Sequence, residues 1–363
     1  MRFRIIFLLL CFFPLSAFSQ PGTMVDKAME KYVPAEKYIY NWRDAVLLKS
    51  FTDVWRGQPD KREQIEKYIC TVMNRVAPSA HGKHPNGIAS AVGFAFLKEI
   101  GLNTPETDAA EKRVWNDYLR IPRSGNGACS HRAGTLELWD DTLYMLEIYL
   151  LGMYKATGDT KYLNCISGEI KSHAEHLRDP RSGFWYHGWA AGSFPTNDEL
   201  CVYGWNSNPL HRSSEFWGRG NGWISMTLCD VLECMPKEHS DYPVIKEMFL
   251  SMAHSLRKYQ DRRSGMWYQL CALPKEKGNY VETSCSAMFA YSLAKGVRIG
   301  VLSKSYLKLA QKAYQTLCIN PDSGICEGTC IGDREYYLGR KVKSGETYSL
   351  GAYIMLENEL INK

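Results

Sequence analysis

Leu138-Trp139-Asp140-Asp141-Thr142-Leu143-Tyr144-Met145 begins a segment that stays apolar on nearly every side through Leu146, Tyr149, Leu150 and Met153 to Tyr154. A helix with one apolar stripe lies on a surface, whereas one that is apolar all round is buried all round. The next helical pattern, about Lys161 to Leu177, has a single stripe of Tyr162, Ile166, Ile170, Ala174 and Leu177. The same alternation recurs downstream. Trp223 to Met235 is apolar on most sides, and Ile245, Phe249, Met252, Leu256 and Tyr259 form one stripe. Cys285 to Ala294 is again apolar, followed by the stripe Tyr306, Ala310, Ala313 and Leu317. Alternating wholly buried and half-buried helices describe an inner ring inside an outer ring.

Extended over the chain, the pattern places inner helices beginning near Lys37, Gly87, Glu137, Asn221, Ser284 and Tyr348. Outer helices begin near Asp60, Thr107, Thr160, Asp241 and Ser303, with Thr23 to Tyr32 as the sixth. The expectation is an all-α fold, an (α/α)6 toroid of six helical hairpins, as a single catalytic domain over residues 20–363. An open solenoid would show a more uniform period and polar capping repeats. A Ser-Gly turn supports the repetition: Pro122-Arg123-Ser124-Gly125, Pro180-Arg181-Ser182-Gly183, Arg262-Arg263-Ser264-Gly265 and Pro321-Asp322-Ser323-Gly324. Glycine supplies the positive φ such turns require. Short β hairpins are expected between Phe184 and Trp217.

The 363 residues are 45% hydrophobic and 23% charged, which excludes disorder and low complexity. A net charge of +5, with Arg2 and Arg4 in the leader, makes no electrostatic case for nucleic acid. Met1 to Gln20 reads as a secretory signal over residues 1–19, with a basic start, an apolar run from Ile5 to Phe13 and the small-x-small site Ala17-Phe18-Ser19. That run is too short to span a bilayer. The mature product is expected to be exported, periplasmic or secreted, without membrane insertion. Of the 12 cysteines, Cys11 leaves with the leader, so an odd number remains. Cys326 and Cys330 are candidates for a disulfide; as a zinc site they lack two further ligands.

Polar and aromatic residues gather where inner helices begin, at Trp139-Asp140-Asp141, at Trp217-Gly218-Arg219-Gly220-Asn221-Gly222-Trp223, at Glu282-Thr283-Ser284 and at Glu346-Thr347-Tyr348. In a ring these starts converge on one mouth, where unpaired helix N–H groups favour an anion. Asp140 and Asp141 taken alone read as capping carboxylates. Asp141 nevertheless enters an apolar helix, where an unpaired carboxylate is costly and its pKa rises into the range of an acid–base catalyst. His187, within Trp185-Tyr186-His187-Gly188-Trp189, reads as part of a ligand wall. Arg219, between two glycines, offers a planar fork that matches a carboxylate. Trp217 and Trp223 offer flat faces of the kind on which sugars stack.

These motifs, with Glu282-Thr283-Ser284-Cys285-Ser286-Ala287-Met288-Phe289, resemble the unsaturated uronyl hydrolases of glycoside hydrolase family 105, with family 88 as the close relative. The resemblance covers essentially the whole mature chain, in order. It implies a six-hairpin toroid, no metal and no cofactor, and as partner an oligosaccharide ending in the 4,5-unsaturated uronate that polysaccharide lyases leave. The implied chemistry is hydration of the C4=C5 double bond, with Asp141 as the aspartate that protonates C4. Uronate binding and ring stacking would fall to His131, His187, Arg219 and Trp223, with Trp42 where the family often has Tyr.

One position departs from the pattern. Relatives usually carry a second aspartate near the start of the second inner helix, where this chain has Asn86 and no acid between Glu66 and Glu99. Either Asn86 serves as a neutral substitute, or Asp140 or Asp44 takes over. The default substrate is pectin-derived rhamnogalacturonan. The alternatives are an unsaturated glucuronyl hydrolase acting on another uronate polysaccharide, an ordinary hydrolase or epimerase on a similar toroid, and a secreted sugar-binding protein that lost activity. An ordinary glycosidase would show two carboxylates flanking the scissile bond.

Overall fold

The computed structural model describes residues 23–132, 136–191, 205, 209–328 and 333–361. The expected leader and the proposed disulfide partner Cys330 lie outside the described residues. In chain order the helices are α1 (Thr23–Lys27), which continues as a π-helical stretch to Tyr32, then α2 (Trp42–Gly57), α3 (Arg62–Val76), α4 (Pro85–Ala89), α5 (Val92–Glu99) and α6 (Pro105–Tyr118). They continue as α7 (Asp141–Thr157), α8 (Thr160–Leu177), α9 (Gly218–Cys234), α10 (Tyr242–Tyr259), α11 (Thr283–Arg298), α12 (Ser305–Leu317), α13 (Arg334–Leu338) and α14 (Thr347–Ile361).

The chain is an α/α toroid. Helix α2 packs on α5, α5 on α7, α7 on α9, α9 on α11, α11 on α14, and α14 returns to α2, so the inner wall closes. The one-stripe helices α3, α6, α8, α10 and α12 each back an inner helix. The sixth outer position is held by the N-terminal segment. Asp26 pairs with Lys61 at 2.8 Å, and the Tyr32 hydroxyl donates to Asp322 at 3.0 Å in the turn after α12. One apolar core runs from Val25 to Leu356 around this ring.

Three expectations shift in detail. The first inner helix begins at Trp42 rather than near Lys37, because the Asn41 side chain accepts from the Arg43 and Asp44 amides and caps it there. The second inner position is two short helices, α4 and α5, separated at Ser90 and Ala91. Of the four Ser-Gly turns, Gly183, Gly265 and Gly324 have positive φ, whereas in the first turn Gly127 takes that conformation instead of Gly125.

The described strands are short and form three antiparallel pairs: β1 (Glu137–Trp139) with β2 (Gly188–Ala190), β3 (Trp267–Tyr268) with β4 (Val281–Glu282), and β5 (Ile325–Cys326) with β6 (Val342–Lys343). The segment after Phe184 folds back on itself at one point, where Trp189 bridges Arg212 antiparallel, the Ala190 amide donates to the His211 carbonyl and the Ser213 amide to the Gly188 carbonyl, each at 2.8 Å. Its strand β2 also pairs with the entry to α7.

At the opposite end, the C-terminal ends of the inner helices hold buried ion pairs. Lys49 meets Asp53 at 2.5 Å and Asp230 at 3.4 Å, and Lys295 meets Asp230 at 2.8 Å and Glu233 at 2.6 Å. A cavity of about 340 Å³ there is lined by such groups, Arg56, Glu233, Lys295, Arg298 and Glu359 among them. Most of its charges pair with one another, so it is an ion-pair-lined cleft without the acid–base cluster found at the other mouth.

Candidate active site

The β1–β2 ladder builds the site. Trp139 lies opposite Gly188, and one step further the Asp140 amide donates to the His187 carbonyl at 3.0 Å. Residues 140 and 187 are thereby held side by side, and their side chains meet: His187 Nδ1 lies 2.7 Å from Asp140 Oδ1 and 3.4 Å from Asp141 Oδ2. The His187 and Asp140 side chains are 0% exposed, whereas that of Asp141 is 13% exposed. Of the three, only Asp141 reaches water. Although Asp140 occupies the cap position of α7, its side chain makes no capping hydrogen bond. The capping reading thus fails for Asp140, whose carboxyl turns instead to His187.

Burial governs the protonation of this cluster. It pushes the Asp141 carboxyl up to about 7, with the adjacent Asp140 adding to the rise and His187 opposing it. It holds Asp140 well above the carboxylate range, against the counter-effects of hydrogen bonding with Asp141 and of the Arg219 charge. It pushes His187 down to about 4, so the imidazole is neutral near pH 7. His131 is likewise held well below its ordinary value, by burial first and then by His187 and His84. Its ring stacks flat on Trp139 at 4.5 Å, and Nδ1 lies 3.0 Å from the Thr142 hydroxyl. Asp140, Asp141 and His187 bring metal-ligand atoms within 4.8 Å of one another. With His187 Nδ1 and Asp140 Oδ1 already at hydrogen-bond distance, the set is an acid–base cluster as it stands.

The Trp217–Trp223 segment forms the first turns of α9 and explains its glycines by close approach. A Cβ at Gly220 would lie 2.0 Å from Asp140 Oδ2, and one at Gly222 would lie 2.6 Å from the Met288 sulfur. Asn221, fully buried, accepts from the Trp185 amide at 2.8 Å and donates to the Trp185 and Trp217 carbonyls at 2.9 Å each. This clamp fixes the strand that carries His187. Arg219 is buried, with its guanidinium 4.4 Å from the Trp217 ring and 5.0 Å from that of Tyr348. It donates to the carbonyls of Cys326, at 2.9 Å, and Gly328. Arg219 therefore also ties the loop after β5 to the mouth, in addition to placing a positive charge there.

The aromatic expectations need correction. Trp217 and Trp223 are 0% exposed, so neither offers a face to water. Trp223 stacks on Tyr144 at 5.1 Å and meets the edge of Trp42 at 6.2 Å, which makes it part of the barrel interior. Trp42 is half-buried, with Tyr348 stacked on it at 5.1 Å and the Arg43 guanidinium 4.7 Å from its ring, so of the expected aromatics it is the one partly open to water. Asn86 is half-buried in the first turn of α4. Asp44 is occupied elsewhere: its oxygens accept from the Ile39 amide and the Thr347 hydroxyl, each at 3.0 Å. Asp140's contact with His187, the Asn221 clamp and the need for Gly220 were not anticipated from sequence. The Gly-x-Gly-x-Gly spacing on one helix was the available signal, since small residues at that spacing mark a helix approached closely by other chain segments.

The geometry is that of a carbohydrate-processing toroid with its acid–base cluster at the N-terminal mouth. The model of glycosyl hydrolase family 88 matches residues 20–363, and the chain belongs to that family. It is a glycoside hydrolase. The Unsaturated rhamnogalacturonyl hydrolase YesR of Bacillus subtilis (strain 168) is 24% identical over 301 residues, 80% of this chain and 78% of the relative. An Unsaturated 3S-rhamnoglycuronyl hydrolase of Alteromonas sp. (strain LOR) is 24% identical over 242 residues, 64% of this chain and 53% of the relative. Among solved structures, a family 105 glycoside hydrolase of C. acetobutylicum ATCC 824 superposes with a TM-score of 0.78 at 24% identity, covering 94% of this chain and 98% of the other. The unsaturated glucuronyl hydrolase of Bacillus sp. GL1 shares the fold at a TM-score of 0.62 and 15% identity, covering 93% of each chain.

Proposed function

We propose that this protein removes a 4,5-unsaturated uronic acid from the non-reducing end of lyase-generated oligosaccharides by hydrating the C4=C5 bond, and that it is exported by its N-terminal leader. The observation that carries the reading is Asp141. It is the one member of the carboxyl–histidine cluster open to water, and its pKa of about 7 lets it hold and release a proton near neutrality. Asp141 gives its proton to C4, and positive charge develops at C5 beside the ring oxygen. Water adds at C5 and returns a proton to the Asp141 carboxylate. The C5 hemiketal then opens, and the anomeric hemiacetal collapses to release the aglycone.

Arg219 supplies the positive charge that draws the uronate carboxylate to the mouth, and the partly exposed Trp42 borders the ring once the Arg43 side chain over it swings aside. The names borne by the Bacillus subtilis and Alteromonas relatives support a rhamnose-linked substrate, and rhamnogalacturonan from pectin is the first to try. A panel of lyase-generated unsaturated disaccharides, followed by loss of the conjugated ultraviolet absorbance, tests the reading and ranks the aglycones. Cleavage of saturated uronides at comparable rates, or product lacking a solvent deuteron at C4 after reaction in deuterated water, would overturn it.

A further inference from the structure

We infer that Asp140 is a positioning residue that stays protonated and donates its O–H to His187 Nδ1, thereby fixing the imidazole in the Nε2–H form as a neutral donor beside Asp141. The inference rests on the proposed function only for the part played by this donor in the reaction. The pairing itself stands on geometry.

Asp140 is fully enclosed: Oδ1 meets His187 Nδ1 at 2.7 Å, and Oδ2 lies against Gly220 with no hydrogen-bond partner among the described residues. An ionised carboxylate placed there would leave an oxygen dry and unsolvated, which is expensive. Two neighbouring carboxyls do not both ionise cheaply, so the negative charge goes to the one that sees water. That one is Asp141, with its side chain 13% exposed against 0% for Asp140. Asp140 then keeps its proton; its carboxyl also neighbours that of Asp141, and His187 Nδ1, at 2.7 Å, is the acceptor it meets directly. A neutral imidazole that accepts at Nδ1 carries its hydrogen on Nε2. His187 Nε2 is buried and has no hydrogen-bond partner among the described residues, as befits a donor kept for a ligand.

The ring is fixed from every side. The Trp217 ring lies at 4.8 Å edge-on, with Trp139 at 5.2 Å and Trp205 at 6.0 Å. The charged groups facing it are Asp141 and Arg219. Where relatives are expected to place a second aspartate, this chain has Asn86. Of the two other acids considered for that task, Asp44 is tied to Ile39 and Thr347, and Asp140 is in the site.

The test compares Asp140→Ala and Asp140→Asn with the wild-type protein after histidine-selective 15N labelling. Asn presents an N–H donor of the same shape, so it should preserve the Nε2–H tautomer of His187 and rescue most of the kcat. Ala should leave a mixture of tautomers and lower kcat by about tenfold or more. An Nδ1–H tautomer in the wild type, or an Asn variant as impaired as the Ala variant, would show that Asp140 works as an ionised acceptor and overturn the inference. Thermal melting of both variants separates misfolding from misplacement. The tautomer measurement needs no substrate, so it decides the inference even if unsaturated uronides prove not to be cleaved.

Discussion

Asp141→Asn offers a test in which activity and stability move in opposite directions. Asn keeps the size of the side chain but can neither give a proton to C4 nor take one from water. Loss of a general acid–base group costs ~10²–10⁴ in kcat. The stability effect follows from the raised pKa, about 7 in the folded protein through burial. The folded state binds the proton more tightly than the unfolded chain does. This group's contribution is therefore fully present below the ordinary carboxylate pKa and is lost as pH rises toward 7. Each pH unit well inside that window costs about 1.4 kcal/mol and the slope falls off near the folded pKa, so from pH 5 to pH 7 the wild type loses about 2 kcal/mol that the Asn variant keeps. Urea unfolding of both proteins at pH 5, 6, 7 and 8, beside kcat on an unsaturated disaccharide, measures both effects. The stability gap should widen with pH up to about 7 and then level off, and wild-type kcat should fall above about 7. Parallel stability curves, or an active Asn variant, would refute the assignment of Asp141 as a buried acid.

Other outcomes follow from the same geometry. Arg219→Lys removes the planar fork that spans the Cys326 and Gly328 carbonyls, so KM should rise; unchanged KM and kcat would make Arg219 plain scaffold. Gly220→Ala puts a Cβ 2.0 Å from Asp140 Oδ2, so activity should drop even where circular dichroism shows the helices intact, and a fully active variant would contradict the close approach. Asp230→Ala leaves Lys49 and Lys295 short of a buried partner and should cost about 3 kcal/mol in urea unfolding, at the far end of the barrel from the chemistry; a cost below about 1 kcal/mol would show the pair to be dispensable.

The fold was legible because helix periodicity is a local property. Leu138 to Tyr154 reads as buried on all sides in one dimension, and six such segments alternating with striped ones admit few arrangements besides a closed double ring. The same reading located the mouth where Asp141, His187 and Arg219 meet, since every inner helix starts there. Sequence did not determine which side chains face water. Trp42 and Trp223 look alike as bulky aromatics at helix starts, yet packing against Tyr144 encloses Trp223 and leaves Trp42 half-open. Sequence singled out Asp141 as the acid but settled no role for the adjacent Asp140. Adjacent residues differ by about 100° around a helix, and only the pairing of β1 with β2, 47 positions apart at Asp140 and His187, decides which carboxyl meets the imidazole. Local pattern determined the elements and their burial. Long-range strand pairing and close glycine contacts, which leave no periodic trace, decided the protonation chemistry of the site.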